Sequence, residues 1–412
     1  MIVILYRNLL KFIKEEPDFL KLSIVMCVAS MCGPTARFIL PVYFSQKGFN
    51  TTEIGLLMSL SGFSGIISGI ISGRLSDRIG RKPLIYVGLL SYSVPWIILW
   101  QAPVKILFYV AMFAEGFSLQ VFFTAIYAFI SDAFIPERRG MAMGVFWSSM
   151  GVGMILGPLL LINIIYKLFG EAAFFFICIL FFVGTGSLVY FFVSEPRFKH
   201  VVNDKVSGEK LSTKHRLPSF SRSCYIYLIA AIFLSIGQSM NMSMFSLFLT
   251  DVGVDVAGIS LIYSLSAIIT SIFPVIFGKL SDKYGRKKFL VAGRIMTSIS
   301  SLMYTMYRLP SGILAFRLLY SVAGSISTSV GLAYLTELLP ENNQGLGIGL
   351  YNSLLRIDSS LMAVVGGVVV QYYGFNTMFL IEASTAILSA GLVQFGVQSS
   401  NKIKKSNESS SN

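Results

Sequence analysis

Long apolar stretches separated by short polar segments run through almost the whole chain. An α-helix needs roughly 20 apolar residues to cross the hydrocarbon core of a bilayer, which is about 30 Å thick. The pattern therefore predicts an all-α polytopic membrane protein with twelve transmembrane helices, numbered here as spans 1 to 12. The stretches lie at about 19–43, 53–73, 83–102, 106–131, 141–166, 172–193, 223–250, 257–278, 289–307, 312–338, 346–372 and 376–397.

The polar segments divide the chain into five parts. Residues 1–18 place apolar and basic side chains on opposite helical faces, which favours a helix lying on the membrane surface, with an extension of span 1 as the alternative. Two six-helix bundles are predicted at 19–193 and 223–397. A basic linker at 194–222 joins them. Residues 398–412 are rich in Ser, Asn and Lys, which predicts a disordered tail.

The composition excludes several classes of protein. Hydrophobic residues make up 54% of the chain and charged residues only 13%, about half the share in soluble proteins. The net charge of +13 lies in alternate loops, so the positive-inside rule places both termini in the cytoplasm of a cell-membrane protein and argues against nucleic-acid binding. The cysteines show no CxxC spacing and the two histidines, His200 and His215, lie in the linker, so we expect no metal site.

One charged segment occurs twice. Gly73–Lys82 reads GRLSDRIGRK and Gly278–Lys287 reads GKLSDKYGRK, an offset of 278 − 73 = 205 residues. The offset holds without a gap back to Pro41 and Ser246. A repeat of this kind predicts two pseudosymmetric halves related by an axis along the membrane normal, which is one plan of secondary transporters.

The repeated segment resembles the loop 2–3 signature of the major facilitator superfamily and its weaker copy in loop 8–9. The resemblance covers residues 19–397 and implies that the family fold is built from the two bundles. It also implies transport by alternating access, in which the bundles rock around a site near the bilayer midplane. The matching residues are Gly73, Asp77, Arg78, Gly80 and Arg81, and in the second copy Gly278, Asp282, Gly285 and Arg286.

The resemblance assigns roles to these residues. It implies that Gly73 packs tightly against span 11 and that Asp77 lies at the positive N-terminal end of that helix. We call the matching residues of the two segments, together with the two ion pairs below, the cytoplasmic latch. The alternative is that their charges only fix the membrane topology of the chain. The implied ion pairs are Arg81 with Asp132 and Arg286 with Glu337.

The family also implies a small-molecule substrate and transport that is either downhill or coupled to an ion gradient, which we expect to be protons. We expect a monomer. No P-loop pattern occurs in the sequence, so ATP hydrolysis by this chain is not expected. We therefore expect a transporter that is not an enzyme and that needs no cofactor.

Ionisable residues within spans are costly and are functional candidates. Arg37 of span 1 and Glu115 of span 4 could meet, because the resemblance places both helices beside the transport pathway. A protonatable Glu115 beside Arg37 would couple proton binding to substrate binding, and a permanent structural ion pair is the alternative.

Further candidates lie in the second half. Arg356 and Asp358 of span 11 are two residues apart and must point to different faces, and Glu382 of span 12 is a possible partner for Arg356. Gln238 and Asn241 of span 7 share one face, where they could bind substrate or join helices.

Two arginines, Arg294 and Arg317, lie near helix ends, where we expect them to snorkel or to pair.

The branch of the family is open. Gly153, Gly157 and Pro158 resemble the motif of proton-driven drug exporters, but Met112 replaces the arginine that this branch carries in span 4. Other features, among them Arg356, resemble sugar and organic-acid symporters. We favour proton-coupled efflux of amphipathic compounds, with uptake of a sugar or organic anion as the alternative and a non-transporting receptor as a third class.

Overall fold

The structure is a computed structural model that describes residues 17–194, 220–340 and 343–397. Every element in these ranges is a helix. Residues 1–16 of the predicted surface helix, most of the linker and the tail at 398–412 lie outside the described residues, so those predictions stay predictions.

The helices of the first half match the predicted spans closely. Span 3 alone is divided in two, at Tyr92 and Ser93. The helices are Pro17–Gln46 (span 1), Thr51–Ile79 (span 2), Arg81–Ser91 and Val94–Gln101 (span 3), Lys105–Ala133 (span 4), Pro136–Gly157 with the π-helix Pro158–Tyr166 (span 5), and Lys167–Phe192, which contains span 6.

The second half has the same order of elements. Spans 11 and 12 form one continuous helical stretch with a single break. The helices are Arg222–Asp251 (span 7), Val256–Tyr284 (span 8), Arg286–Met306 (span 9), Pro310–Leu338 (span 10) and Gln344–Gly396 (spans 11 and 12).

The count of spans agrees with the sequence. Nine helices in the described ranges are long and apolar enough to cross a membrane, and two of them have double length. These two break at Gly170 (φ 82°) and Gly374 (φ 78°), which brings the number to eleven. Span 9 is the twelfth and is less apolar, because it carries Arg294 and several buried hydroxyl side chains. The predicted all-α fold with twelve spans is confirmed.

The duplication is visible in the helix bounds. Spans 1 to 4 and spans 7 to 10 begin and end 205 residues apart, as in 222 − 17 and 338 − 133. Each of the described residues with positive φ is a glycine that has a counterpart in the other half. The pairs are Gly48 with Gly253, Gly80 with Gly285, and Gly170 with Gly374.

Local chemistry explains why these helices begin where they do. Gly80 (φ 103°) and Gly285 (φ 97°) precede spans 3 and 9 with a backbone conformation that side chains disfavour. At the start of span 2, the Asn50 side chain accepts from the Glu53 amide (2.8 Å) while the Glu53 carboxylate accepts from the Asn50 amide (2.9 Å). Asp255, 205 residues later, caps span 8 by accepting from the Gly258 amide at 2.9 Å.

The chain separates into two compact units. Within the described residues, the first holds 17–37 and 63–194, and the second holds 38–62 and 220–397. In the second unit the Phe38 ring stacks on Tyr263, with centroids 3.9 Å apart. The Thr51 hydroxyl donates to the Gly367 carbonyl at 3.0 Å. The bundle boundaries derived from the sequence stay a prediction.

Candidate functional site

The first unit contains a buried ion pair. Nε of Arg37 lies 3.2 Å from Oε1 of Glu115, and Nη2 lies 3.2 Å from Oε2. The Tyr92 hydroxyl donates to Oε1 at 2.8 Å. Two parallel N–H···O bonds of this kind are the strong, oriented form of an Arg–carboxylate contact. The contact expected between Arg37 and Glu115 is confirmed, and its role stays a prediction.

Aromatic packing fixes the third member of this cluster. The Tyr92 ring lies edge-on to Phe182, with centroids 4.6 Å apart, and to Trp96 at 5.9 Å. Gly33 of span 1 leaves room for it, because a Cβ on Gly33 would come within 3.3 Å of the Tyr92 ring. The hydroxyl is therefore held against Glu115 by the core.

The two charges of this pair differ in exposure. The Glu115 side chain is 1% exposed and the Arg37 side chain is 30% exposed. The arginine side chain is therefore partly accessible, and its guanidinium is a donor to carboxylates and hydroxyls, whereas the carboxylate is covered.

The second unit contains another buried carboxylate cluster. Asn241 of span 7 donates from Nδ2 to Oε2 of Glu382 at 2.7 Å, and the Tyr320 hydroxyl of span 10 donates to Oε1 at 2.8 Å. Glu382 and Asn241 are each 1% exposed. Nη1 of Arg317 donates to Oδ1 of Asn241 at 3.2 Å. The asparagine amide thus lies between the guanidinium and the carboxylate.

Arg317 is surrounded by aromatic rings. Its guanidinium carbon lies 4.2 Å from the centroid of Phe245, 5.3 Å from that of Tyr263 and 5.1 Å from that of Tyr320. These are cation–π distances, and such contacts are worth up to about 2 kcal/mol when desolvated. Its Nε is buried without a hydrogen-bond acceptor among the described residues. The expectation that Arg317 snorkels is therefore wrong.

Other interpretations of span residues also change. The suggested pair of Arg356 with Glu382 is wrong, because Arg356 is exposed whereas Glu382 is 1% exposed and accepts from Asn241 and Tyr320. Arg356 is exposed and Asp358 is 8% exposed, so the two do point to different faces as predicted.

Gln238 and Asn241 share one face of span 7, but their surroundings differ. Asn241 joins helices, as the alternative reading proposed, whereas Gln238 is half-buried.

Arg294 does not snorkel either. It is 2% exposed, donates to the Ser389 carbonyl at 2.9 Å and lies over the Tyr227 ring at 5.6 Å.

The two buried clusters are related by the repeat. Glu115 plus 205 gives Tyr320, so a carboxylate in one half corresponds to a tyrosine in the other. Counted from Gly170 and Gly374, the offset is 374 − 170 = 204, which places Cys178 at the position of Glu382. The sequence analysis missed Tyr92 and Tyr320 as site residues. Applying the offset to Glu115 would have identified Tyr320, but no sequence signal marks Tyr92.

The charges of the cytoplasmic latch form the same arrangement in both halves. Arg81 contacts Asp77 at 2.7 Å and Asp132 at 2.6 Å. Arg286 contacts Asp282 at 2.7 Å and Glu337 at 3.2 Å. The two expected ion pairs are therefore present, and the function of the latch stays a prediction.

The other latch residues include an exposed arginine and two uncrowded glycines. Arg78 is exposed, and a Cβ added at Gly73 or Gly278 would have no described heavy atom within 4 Å. The packing of Gly73 against span 11 stays a prediction.

The glycines of the exporter-like motif serve close helix packing inside the first unit. A Cβ on Gly153 would collide with the Cys27 carbonyl and the Ser30 hydroxyl of span 1, and one on Gly157 with the Met31 carbonyl. Pro158 follows at once and begins the π-helix, as expected where proline removes a backbone donor.

The described residues contain no group of three or more His, Cys, Asp or Glu side chains that could hold a metal ion.

Both the sequence and this architecture match those of known proteins. The sequence profile of the family described as the Major Facilitator Superfamily matches residues 22–228 and 227–410. The chain is 24% identical over 381 residues to multidrug resistance protein 2 of Bacillus subtilis strain 168, covering 86% of this chain and 88% of that protein. It is 22% identical over 367 residues to the sialic acid transporter NanX of Escherichia coli strain K12, covering 87% and 89%.

Among solved structures, the nucleoside transporter NupG superposes with a TM-score of 0.76. The match covers 92% of this chain and 98% of NupG at 15% sequence identity. At that identity the likeness shows the fold alone.

Proposed function

Because this chain belongs to the major facilitator superfamily, we propose that it is a proton-coupled exporter of small amphipathic organic compounds. Membership makes it a multi-pass membrane transporter of a small molecule, driven by an ion gradient, and not an enzyme. The proton, the direction of transport and the class of solute are the proposal.

The observation that carries the proposal is the presence of one buried carboxylate cluster in each unit. Glu115 and Glu382 are the only charged residues of the stretches 106–131 and 376–397, and each side chain is almost fully covered. An ionisable group at membrane depth is costly, and a reversible proton is one way to remove the charge. Aromatic side chains surround both sites, which suits apolar or cationic solutes.

Efflux is favoured by two further observations. One relative that is matched over most of both chains is a multidrug resistance protein. Gly153 and Gly157 pack against span 1 as a close helix contact, and that motif resembles the one in proton-driven exporters.

A second candidate function is uptake of an organic anion such as an acidic sugar. It is supported by the partly exposed side chain of Arg37 and by the similarity to the sialic acid transporter. A carboxylate of the solute would then bind Arg37, because guanidinium groups bind carboxylates in a bidentate geometry.

Everted membrane vesicles distinguish the two candidates. Efflux predicts that ethidium added to energised vesicles is accumulated and partly collapses the pH gradient, and that a protonophore abolishes both effects. Vesicles without the protein are the control. Uptake predicts that intact cells accumulate radiolabelled N-acetylneuraminate and that ethidium leaves the gradient unchanged, a result that would overturn the efflux proposal.

The orientation in the cell membrane is part of the proposal. Both termini are placed in the cytoplasm on the basis of the loop charges. A cysteine introduced at position 80 or 285 should react with a membrane-impermeant maleimide only in everted vesicles, and labelling in intact cells would contradict this orientation.

A further inference from the structure

We propose that Glu382 of span 12 is the residue that binds and releases the transported proton, and that Asn241 connects it to the guanidinium of Arg317. This inference rests on the proposed proton coupling. It departs from the sequence-based interpretation, which placed the proton on Glu115.

The first step is the difference in counter-ion between the two clusters. Glu115 has a guanidinium at 3.2 Å on both oxygens. Glu382 has no cation within 4.0 Å among the described residues, and its oxygens accept from the neutral amide of Asn241 and the hydroxyl of Tyr320. A negative charge at Glu115 is therefore compensated by a direct ion pair. A negative charge at Glu382 has no such counter-ion, and binding a proton would remove it.

The second step is the set of groups that face Glu382. The charged or titratable ones are Arg317 and Tyr320 on span 10 and Tyr304 on span 9. Span 7 contributes the neutral amide of Asn241. The one cation in this set, Arg317, is held over three aromatic faces and reaches the carboxylate only through Asn241.

The third step is what protonation does to these bonds. An ionised carboxylate only accepts, and a protonated one also donates. The Asn241 NH₂ group cannot accept a hydrogen bond, so a proton on Oε2 that points at this group would break the 2.7 Å contact or turn the amide over. Turning the amide removes the acceptor of the Arg317 guanidinium. The proton at Glu382 and the availability of Arg317 for a solute are thus linked through one side chain.

The fourth step is a path for the proton. The Tyr320 side chain is half-buried, and its hydroxyl contacts Oε1 at 2.8 Å. A hydroxyl both donates and accepts, so it can pass a proton to Oε1 while receiving one from water. A half-turn of the carboxyl group about χ3 exchanges the two oxygens and brings this proton to face Asn241. The balance is one proton gained and one negative charge lost at Glu382, with no other covalent bond changed.

Infrared difference spectroscopy tests the assignment without a known substrate. The purified full-length protein in lipid is titrated with acid and base while the band of the protonated carboxyl group is followed. We compare the wild type with Glu382→Gln, and use Glu115→Gln and Asp358→Asn as matched controls of the same charge change. The proposal predicts a titrating band that is lost in Glu382→Gln and retained in both controls.

Three results would overturn it: no titrating band in the wild type, a band that persists in Glu382→Gln, or loss of the band in Glu115→Gln or Asp358→Asn instead. Glu382→Asp provides a second variant if the glutamine variant is unfolded; its band should shift in position or midpoint, and an unchanged band would contradict the proposal.

Transport separates this inference from the proposed function. In proteoliposomes, Glu382→Gln should lose accumulation of ethidium driven by a pH gradient and retain exchange of ethidium between equal concentrations. If the wild type does not accumulate ethidium, the proposed function fails while the infrared assignment still stands. If Glu382→Gln accumulates ethidium at the wild-type rate, the proton assignment fails and the proposed function stands.

Discussion

Replacing Arg37 with methionine should destabilise the first unit through the glutamate that it leaves behind. Methionine is a conservative choice in volume, and Met242 occupies the corresponding position of the second half, 205 residues later. The substitution removes the two bonds from Arg37 and leaves a carboxylate that is 1% exposed and that still accepts from the Tyr92 hydroxyl.

The structure sets the size of this effect. Removing one partner of a fully buried ion pair costs about 3–5 kcal/mol, because the remaining charge is uncompensated. The Arg37 side chain is 30% exposed, so part of its interaction is already screened by solvent. We expect a loss of about 2–3 kcal/mol in unfolding free energy for Arg37→Met, taking a value below the fully buried range.

The reverse substitution should be milder. Glu115→Gln leaves a guanidinium that solvent can reach, so we expect a loss of only about 1 kcal/mol. The double variant, which contains neither charge, should lie within about 1 kcal/mol of the wild type. The predicted order of stability is therefore wild type, double variant and Glu115→Gln close together, with Arg37→Met clearly lowest.

Thermal unfolding in detergent, followed by intrinsic fluorescence, measures this order. For a unit of this size, about 1 kcal/mol corresponds to a Tm shift of roughly 2–4 °C, so Arg37→Met should lower Tm by roughly 4–12 °C. The double-mutant cycle isolates the pair energy. Equal Tm losses for the two single variants, or a double variant whose loss is the sum of theirs, would refute the reasoning.

Three other substitutions test the packing and the latch. Gly157→Ala should reduce the yield of folded protein on size-exclusion chromatography, because its Cβ would collide with the Met31 carbonyl, whereas Gly144→Ala, which has open space, should behave as wild type; equal yields would contradict this. Gly285→Ala places a side chain at φ 97° and should cost about 1–2 kcal/mol, seen as a lower Tm, while an unchanged Tm would show that the turn relaxes freely. Asp77→Asn should leave membrane insertion and Tm unchanged, since the side chain is 70% exposed, but slow ethidium counterflow in proteoliposomes at least tenfold; a normal rate would exclude a role for the latch in turnover.

Much of the fold could be predicted because its signals are local. A span is a run of apolar residues, and the repeated segment carries its register in the sequence, so Gly80 and Gly285 could be placed at equivalent turns. The pair Arg81–Asp132 was implied by the family resemblance, and the repeat extended it to Arg286–Glu337.

The contents of the second cluster could not be predicted in the same way. Glu382 was assigned to Arg356 because opposite charges attract, and the sequence does not show which helix faces meet. The aromatic enclosure of Arg317 depends on rings from spans 7, 8 and 10, and hydropathy treats such rings as lipid-facing residues. The position of Arg317 and Arg294 along their helices therefore led to the wrong expectation that they snorkel, because packing sets the surroundings of both side chains.

The hydrogen bond from Thr51 to Gly367 joins residues 316 positions apart, and it has a consequence for biosynthesis. The ribosome synthesises residues 38–62 long before it synthesises Gly367. During translation this segment therefore lacks the residues that it packs against in the folded protein. Partly assembled chains that expose such surfaces are prone to misassembly. We therefore expect the nascent chain to need insertase or chaperone protection until the eleventh helix has entered the bilayer.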